Sequence, residues 1–443
     1  MNEIAVEKNL LEVWIAKKIG IGAGTLTREQ ISRYQLRKVQ ETIRQAYRNS
    51  PFYRNLLQGF ADIGISCLED LHYFPFTTAD HLREQALQFL CVSQSFISRI
   101  VTLDSSGTTG MAKRIYFTPF DQELTVDFFQ QGMSTLLEPG DQVLILLPGE
   151  RIGSVGNLLI TALERAGAKT ILHGVVQNIP KTLEIMVREK VDSLVGIPAQ
   201  VLALARYTEA SGKYIRLKSV LLSTDHVPNA IVQELRRVWG CQVFEHYGMT
   251  EMGLGGGLDC EAHTGYHLRE ADLYFEIIDQ AGRPVPEGRE GEVVFTTLTR
   301  QGMPLIRYRT GDISRFIPGT CACGTILRRL DRITKRKDGL VLISDEQYFT
   351  MSDLDETIFA LAGVIDFTAK VDNLQKATKL TIAVWTLGKS NTVTEFALLE
   401  ALNRVPVLRQ AREYGKLSIH ITIYFYTDGF SPNSRKRTIM ELS

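Results

Sequence analysis

The stretch "SLVGIPAQVLALARYTEASGKYIRLKSVLLST" (residues 193–224) decides the fold. Two short apolar runs, "SLVGIP" and "SVLLST", flank "PAQVLALARYTEA", a segment long enough for several helical turns. Short apolar runs bounded by turn residues read as buried strands, and a longer run between them reads as a crossover helix. The unit recurs outward from about residue 141. Upstream lie the runs "QVLILLP" and "TILHGVV" with the helical segments "SVGNLLITALERAG" and "PKTLEIMVREK"; downstream lie "PNAIVQELRRVWG" and "QVFEHY". Strand–helix alternation of this kind predicts a parallel sheet with helices on its faces. Ligands of such sheets bind beyond the carboxyl ends of the strands. Two of those ends, "LSTDHVP" and "EHYGMTE", turn polar where the neighbouring chain is apolar.

Other textures border this region. Thr27 and Gln30 stand at capping-box spacing before Ile31, Tyr34, Val39, Ile43 and Tyr47, which recur near the helical period until Pro51. After about residue 270, "LYFEIID", "QAGRPVPEG" and "GEVVFTTL" read as antiparallel strands joined by Pro/Gly turns. The charged "RRLDRITKRKDG" reads as a linker, and the remainder as a small α+β domain. The expected architecture is therefore α/β. A large N-terminal domain (1–330) combines parallel sheet layers with a β-rich subdomain, and a small C-terminal α+β domain (331–443) follows.

Composition narrows the function classes. Lys plus Arg equals Asp plus Glu at 50 each, so no basic or acidic excess favours nucleic acid or a membrane surface. The apolar run "VLILLP" is too short to span a bilayer, and the first twenty residues, interrupted by Glu3, Glu7, Lys8 and Glu12, are no signal peptide. The expectation is a cytoplasmic chain with neither nucleic-acid nor membrane partner; a homodimer is left open. Six cysteines in 443 residues do not make a disulfide scaffold.

"DSSGTTGMAK" (residues 104–113) has no large apolar side chain before Met111. A loop of glycines and hydroxyls offers backbone N–H groups and Oγ atoms together, which suits phosphate oxygens, and Lys113 adds a positive charge. It does not fit the Walker pattern, because Met111 rather than lysine follows Gly110. Read alone, a solvated surface loop is the alternative. Three further segments follow in order: "HYGMTE" (246–251), "YRTGD" (308–312) and "RLD" (329–331). Together the four resemble the signature motifs of the adenylate-forming superfamily. "NSPFYRNLL", "FPFTTADHLRE", "GYHLREADLYFEIID" and "GMPLIRYRTGDISRF" are similar to segments of its phenylacetate–coenzyme A ligase branch.

The resemblance implies an enzyme that uses ATP and Mg²⁺ to turn a carboxylic acid, aryl or small acyl, into an acyl-adenylate. Coenzyme A then takes the acyl group as a thioester. It places Ser105, Ser106, Gly107, Thr108, Thr109, Gly110 and Lys113 at the β- and γ-phosphates. Tyr247 is placed against adenine, Thr250 at the α-phosphate, Glu251 at Mg²⁺, Asp312 at the ribose hydroxyls and Arg329 near the ribose. It implies a catalytic lysine near the C-terminus, for which Lys436 is the candidate, although Arg435 stands where the family has glycine. The small domain would rotate about Asp331, where Arg332 replaces a second acidic residue.

Cys260, Cys321 and Cys323 with either His263 or His267 make a three-Cys, one-His set of the kind that binds structural zinc. The branch carries Gly-x-His where Gly265-Tyr266-His267 stands, which favours His267. The acid pocket is expected around Gly132 and Met133, the strand ends at Pro198 and 223–226, and Gly253–Gly257. The glycines of "GLGGG" would either admit a flat ring or let backbone approach closely. Transfer of the acyl group to an amine or a carrier thiol, or a catalytically idle nucleotide-binding homologue, are the alternative readings.

Overall fold

The structure of the chain, a computed structural model, describes residues 9–22, 26–60, 64–103, 111–344, 347–373, 377–388, 393–426, 430–433 and 436–442. By its internal contacts it divides into two compact units. The first comprises Met1–Leu136, Arg151–Ala166 and His246–Ile333; the second comprises Leu137–Glu150, Gly167–Glu245 and Thr334–Ser443. One break between the units falls at 333/334. The strand–helix segment around 167–245 shares a unit with the C-terminal residues rather than with the N-terminal helices.

In the first unit, Thr27 caps the helix Arg28–Asn49 with a complete capping box: the Gln30 amide donates to Thr27 Oγ1 at 3.2 Å and the Thr27 amide to Gln30 Oε1 at 2.9 Å. Pro51 ends that helix as expected and opens the next, Pro51–Leu56, whose first turn Ser50 caps. The strands Leu273–Ile278, Gly291–Thr297 and Tyr308–Ser314 form the antiparallel layer read from the Pro/Gly turns. The hairpin Arg99–Leu103 and Lys113–Phe117 brackets the glycine- and hydroxyl-rich loop. Very short strands, Gly257–Leu258, Tyr266–Leu268, Arg329–Leu330 and Phe316–Ile317, pair in that order. Arg329 and Leu330 are therefore sheet residues, not linker.

The second unit holds the parallel sheet. Gln142–Ile145 pairs with Lys169–Leu172 on one side and Ser193–Gly196 on the other; Ser219–Leu222 follows, then the start of Gln242–Tyr247. The helices Ile179–Arg188, Pro198–Ala210 and Asn229–Trp239 are the crossovers that the alternation predicted. The residues after 334 form a second sheet in the order Leu417–Phe425, Thr378–Thr386, Val364–Asn373, Met440–Leu442, with the helices Met351–Ile358, Glu395–Leu402 and Pro406–Glu413. This is the small α+β fold expected. It joins the rest of its unit through buried polar groups as well as apolar packing. Arg206 donates to the carbonyls of Phe359 (2.7 Å) and Val364, and Gln200 donates to Pro432 O at 3.2 Å.

Arg437 is 6% exposed. Its Nε donates to Asp355 Oδ1 at 2.9 Å and its Nη1 to Asp366 Oδ1 at 2.6 Å, while its amide donates to Asp225 Oδ2 at 2.9 Å. The guanidinium lies 4.2 Å from the Phe367 ring centre and 4.9 Å from that of Phe359. Burial pushes the Asp355 carboxyl up to about 6, against the charge of Arg437. Because this folded-state value lies above the ordinary 3.8, proton binding favours the folded form. The group's contribution is lost as pH rises from about 4 to about 6. Removing the arginine drives the value higher still. Arg437→Met should cost about 3–5 kcal/mol at pH 7, the scale for breaking a buried pair. The loss should be smaller at pH 5, where the orphaned Asp355 takes a proton. Melting curves of both proteins at the two pH values test this; an equal loss at both would remove Asp355 from the account.

Candidate active site and cysteine cluster

Three of the segments singled out in the sequence meet in the first unit. Glu251 lies in a single 3-10 turn, Thr250–Met252, and is 1% exposed. A carboxylate so far from water requires a cation or strong donors. Lys113, the first residue of its strand, supplies the cation: its ammonium is in direct contact with Glu251 Oε1. The hydroxyl of Tyr308 donates to the same oxygen at 3.1 Å and lies 3.5 Å from Lys113 Nζ. The main chain of the turn is held separately, by Arg300 Nη1 donating to Glu251 O at 2.7 Å. Burial lowers the proton affinity of that guanidinium, whose plane lies 4.5 Å from the Phe117 ring centre. Its Nε and Nη2 have no hydrogen-bond partner among the described residues. They belong to a residue that borders a cavity of about 20 Å³, shared with Asp121, Thr125, Arg269 and Asp272. That is room for about one water molecule, not for a substrate.

Tyr247 and Asp312 meet as well. The Tyr247 hydroxyl donates to Asp312 Oδ2 at 2.9 Å, and the ring lies against Tyr266, centroids 5.8 Å apart and planes 28° apart. Asp312 is 3% exposed, and the Thr310 hydroxyl accepts from its amide at 3.0 Å. The preceding Arg307 anchors the strand: it makes a two-point ion pair with buried Glu276 (3.1 and 3.0 Å) and donates to the carbonyls of His72 and Phe74. The sequence assigned Arg307, Tyr308 and Arg300 no role of their own, although Tyr308 opens the "YRTGD" segment. No local pattern marks them: Arg300 and Arg307 lie between two strands, Tyr308 begins the second, and their buried partners are distant in sequence.

The other expected positions divide. Ser105, Ser106, Gly107, Thr108, Thr109 and Gly110 lie outside the described residues, as does Arg435. Lys436 is exposed and belongs to the second unit. Arg329, 7% exposed, donates to Thr264 Oγ1 at 2.8 Å and to the carbonyls of Thr264 and of residues 318–320 at 3.3–3.4 Å. It braces the loop that carries Cys321. Asp331, two residues before the break between the units, accepts from Arg315 Nε at 2.9 Å.

Cys260, His267, Cys321 and Cys323 converge, with their ligand atoms all within 4.8 Å of one another. Cys260 and Cys321 Sγ are 3.7 Å apart, and His267 Nε2 is 3.3 Å from Cys260 Sγ and 3.4 Å from Cys323 Sγ. A tetrahedral zinc with S at about 2.3 Å and N at about 2.0–2.1 Å has edges of about 3.8 Å (S–S) and 3.5 Å (S–N). These three distances already stand near those edges, and the remaining pairs lie within 4.8 Å. His263 is directed elsewhere, its Nδ1 2.6 Å from Asp259 Oδ2, so His267 is the histidine of the set.

The glycines of residues 253–257 turn out to be filled from the protein side. A Cβ on Gly255 would lie 2.4 Å from Phe128 Cε1 and 3.3 Å from His246 Nε2; one on Gly256 would lie 2.7 Å from Met252 Sδ. They let backbone approach rings closely rather than open a slot. His246 lies 6.3 and 6.0 Å from the ring centres of Phe128 and Phe129. Removal from water, and secondarily the charge of Arg269, push its imidazole down to about 4, so it is neutral at pH 7. Gly255→Ala should destabilise the protein by about 1–3 kcal/mol, the cost of overpacking. Combined with Phe128→Ala it should cost less than the sum of the single changes, because the clash disappears with the ring. Additive losses in melting or denaturant curves would show that Phe128 is not what the glycine accommodates.

The comparisons with known proteins agree with this geometry. The family described as AMP-binding enzyme matches residues 102–299. Phenylacetate-coenzyme A ligase of Pseudomonas putida is 29% identical over 338 residues, 73% of this chain and 75% of that one. That of Thermus thermophilus is 29% identical over 349 residues, 77% and 78% of the two chains. Among solved structures, 2-hydroxyisobutyryl-CoA ligase in the postadenylation state has a TM-score of 0.76 at 21% identity, covering 95% of this chain and 90% of that one. With the motifs in family order and their buried side chains in mutual contact, the chain is similar to the AMP-binding enzymes over residues 102–299 and to the phenylacetate–coenzyme A ligases over most of its length.

Proposed function

We infer that this chain joins a carboxylic acid to coenzyme A through an acyl-adenylate. The observation that carries the reading is the contact of Lys113 with Glu251, two motif residues 138 positions apart. In the first half-reaction a carboxylate oxygen bonds to the α-phosphorus of ATP as the bond to the β-phosphate oxygen breaks, and pyrophosphate leaves. In the second, the thiolate of coenzyme A bonds to the acyl carbon and AMP leaves. No protein nucleophile is required.

The residues have these proposed roles. Asp312, fixed by Tyr247 and Thr310, accepts from the ribose hydroxyls, and the Tyr247 ring meets adenine. Thr250 donates to the α-phosphate. Lys113 and the loop residues Ser105 to Gly110 hold the β- and γ-phosphates. A carboxylate is a weak nucleophile toward a phosphorus among like charges, so these donors must offset that charge. Mg²⁺ bound at Glu251 would offset more of it. Lys436 is assigned to the acid's carboxylate and the α-phosphate, and Asp331 to the rotation that ends adenylation. Arg329, bonded as it is to the 318–320 carbonyls, supports the loop and acts on the ribose only through it.

The purified protein, given ATP, Mg²⁺ and a panel of aryl and short-chain acids, should release pyrophosphate with at least one acid and form a thioester only when coenzyme A is present. Lys436→Ala should slow adenylate formation by about a hundredfold, the scale of losing one charged group at a transition state. It should leave the reaction of pre-formed adenylate with coenzyme A unchanged. Product formation with an amine in place of coenzyme A would replace this reading with acyl transfer to nitrogen; no pyrophosphate with any acid would leave an idle homologue.

We also propose that Cys260, His267, Cys321 and Cys323 bind a structural zinc. Four protein donors leave no position for substrate, and the short strands around them gain a crosslink that acts only in the folded form. Elemental analysis should find about one zinc per chain. Chelation should lower the melting temperature. His267→Ala should abolish the metal while His263→Ala retains it, and retention by both variants would refute the site.

A further inference from the structure

Glu251 and Lys113 differ in how firmly they are held. The Glu251 turn is pinned from both ends: Arg300 holds its carbonyl, and Gly253 closes the turn in the left-handed region at φ +74°. Lys113 is joined to Glu251 only through a long flexible side chain, 16% exposed, on the first residue of its strand. Any exchange of partners must therefore occur at the lysine.

We propose that Lys113 is a placeholder for the divalent cation, occupying the Glu251 carboxylate until a nucleotide draws it away. This rests on the reading of Glu251 as the residue that meets Mg²⁺. A buried carboxylate already neutralised by a tethered ammonium presents little to a free metal ion, which must first displace that ammonium into water. A nucleotide changes the balance. Its phosphate oxygens offer Lys113 equally strong charge-assisted bonds, and a small divalent cation prefers phosphates plus one or two carboxylates. Metal and nucleotide then bind together, each removing an obstacle to the other. Tyr308, whose hydroxyl stays on Glu251 Oε1, keeps one bond to the carboxylate during the exchange.

The probe is Mn²⁺ alone, measured by electron paramagnetic resonance on the full chain as purified, without nucleotide. Because Lys113 suppresses the binding-competent fraction, Lys113→Met should bind Mn²⁺ at least about tenfold more tightly than the unmodified chain. The gain should vanish in Lys113→Met/Glu251→Gln. Mn²⁺ should also raise the melting temperature of Lys113→Met, whose Glu251 is left without its cation, but not that of the double variant. Lys113→Gln gives the same comparison if the methionine variant does not fold. Equal Mn²⁺ affinity with and without Lys113, or a gain that survives Glu251→Gln, overturns the proposal. Pyrophosphate release separates it from the functional reading. No turnover with the Mn²⁺ pattern present removes the ligase reading alone, and turnover without the pattern removes the placeholder alone.

Discussion

A carboxylate that is 1% exposed cannot remain ionised without compensation, and Glu251 organises the first unit through that requirement. Its partners come from three places in the chain: Lys113 beginning one strand, Tyr308 beginning another, and Arg300 in the loop before it. Each would be costly alone in the interior. Together they bring the strand after the hydroxyl-rich loop, the turn after "HYG" and the "YRTGD" strand to one point. Tyr247 and Asp312 add a second link between the latter two. The site is built by mutual neutralisation of buried polar groups, not by a large cavity among the described residues.

The same logic recurs away from the site. Arg307 pairs with Glu276 and fixes the entry to the "RTGD" strand; Arg437 pairs with Asp355 and Asp366 and fixes the last turns of the chain in the other unit. In both, an arginine serves two acceptors with a planar fork that lysine lacks. The cysteine cluster solves a different problem. Two- and three-residue strands such as Gly257–Leu258 and Arg329–Leu330 have too few ladder bonds to be stable by themselves. Cys260, His267, Cys321 and Cys323 bring those strands and the loop of residues 318–324 to one point, where Arg329 also bonds Thr264.

Local chemistry was legible along the chain. The capping box at Thr27, the role of Pro51 and the alternation of parallel strands with crossover helices follow from periodicity, caps and turn residues, which act over a few positions. So did the order of the motifs and the three-cysteine, one-histidine composition of the cluster. Motif order also identified Tyr247, Glu251 and Asp312 as residues worth following.

Other features depended on side chains distant in sequence, which no local pattern reports. The sequence favoured His267 over His263 only through a resemblance; the contact of His263 with Asp259 and of His267 with Cys260 gives the physical reason. It left the glycines of residues 253–257 as slot or close packing; the Phe128 and Met252 side chains occupy the space. The resemblance placed Arg329 near the ribose but gave no sign of its bonds to the 318–320 carbonyls. The sequence assigned Tyr308 and Arg300 no role of their own, because a tyrosine and an arginine become informative only when their buried partner is known. Sequence by itself determined which residues could carry charge and where strands and helices begin, since those are properties of single residues and near neighbours. Tertiary structure alone decided which charges face each other, because pairing in a low-dielectric interior is set by the packing of segments more than a hundred residues apart.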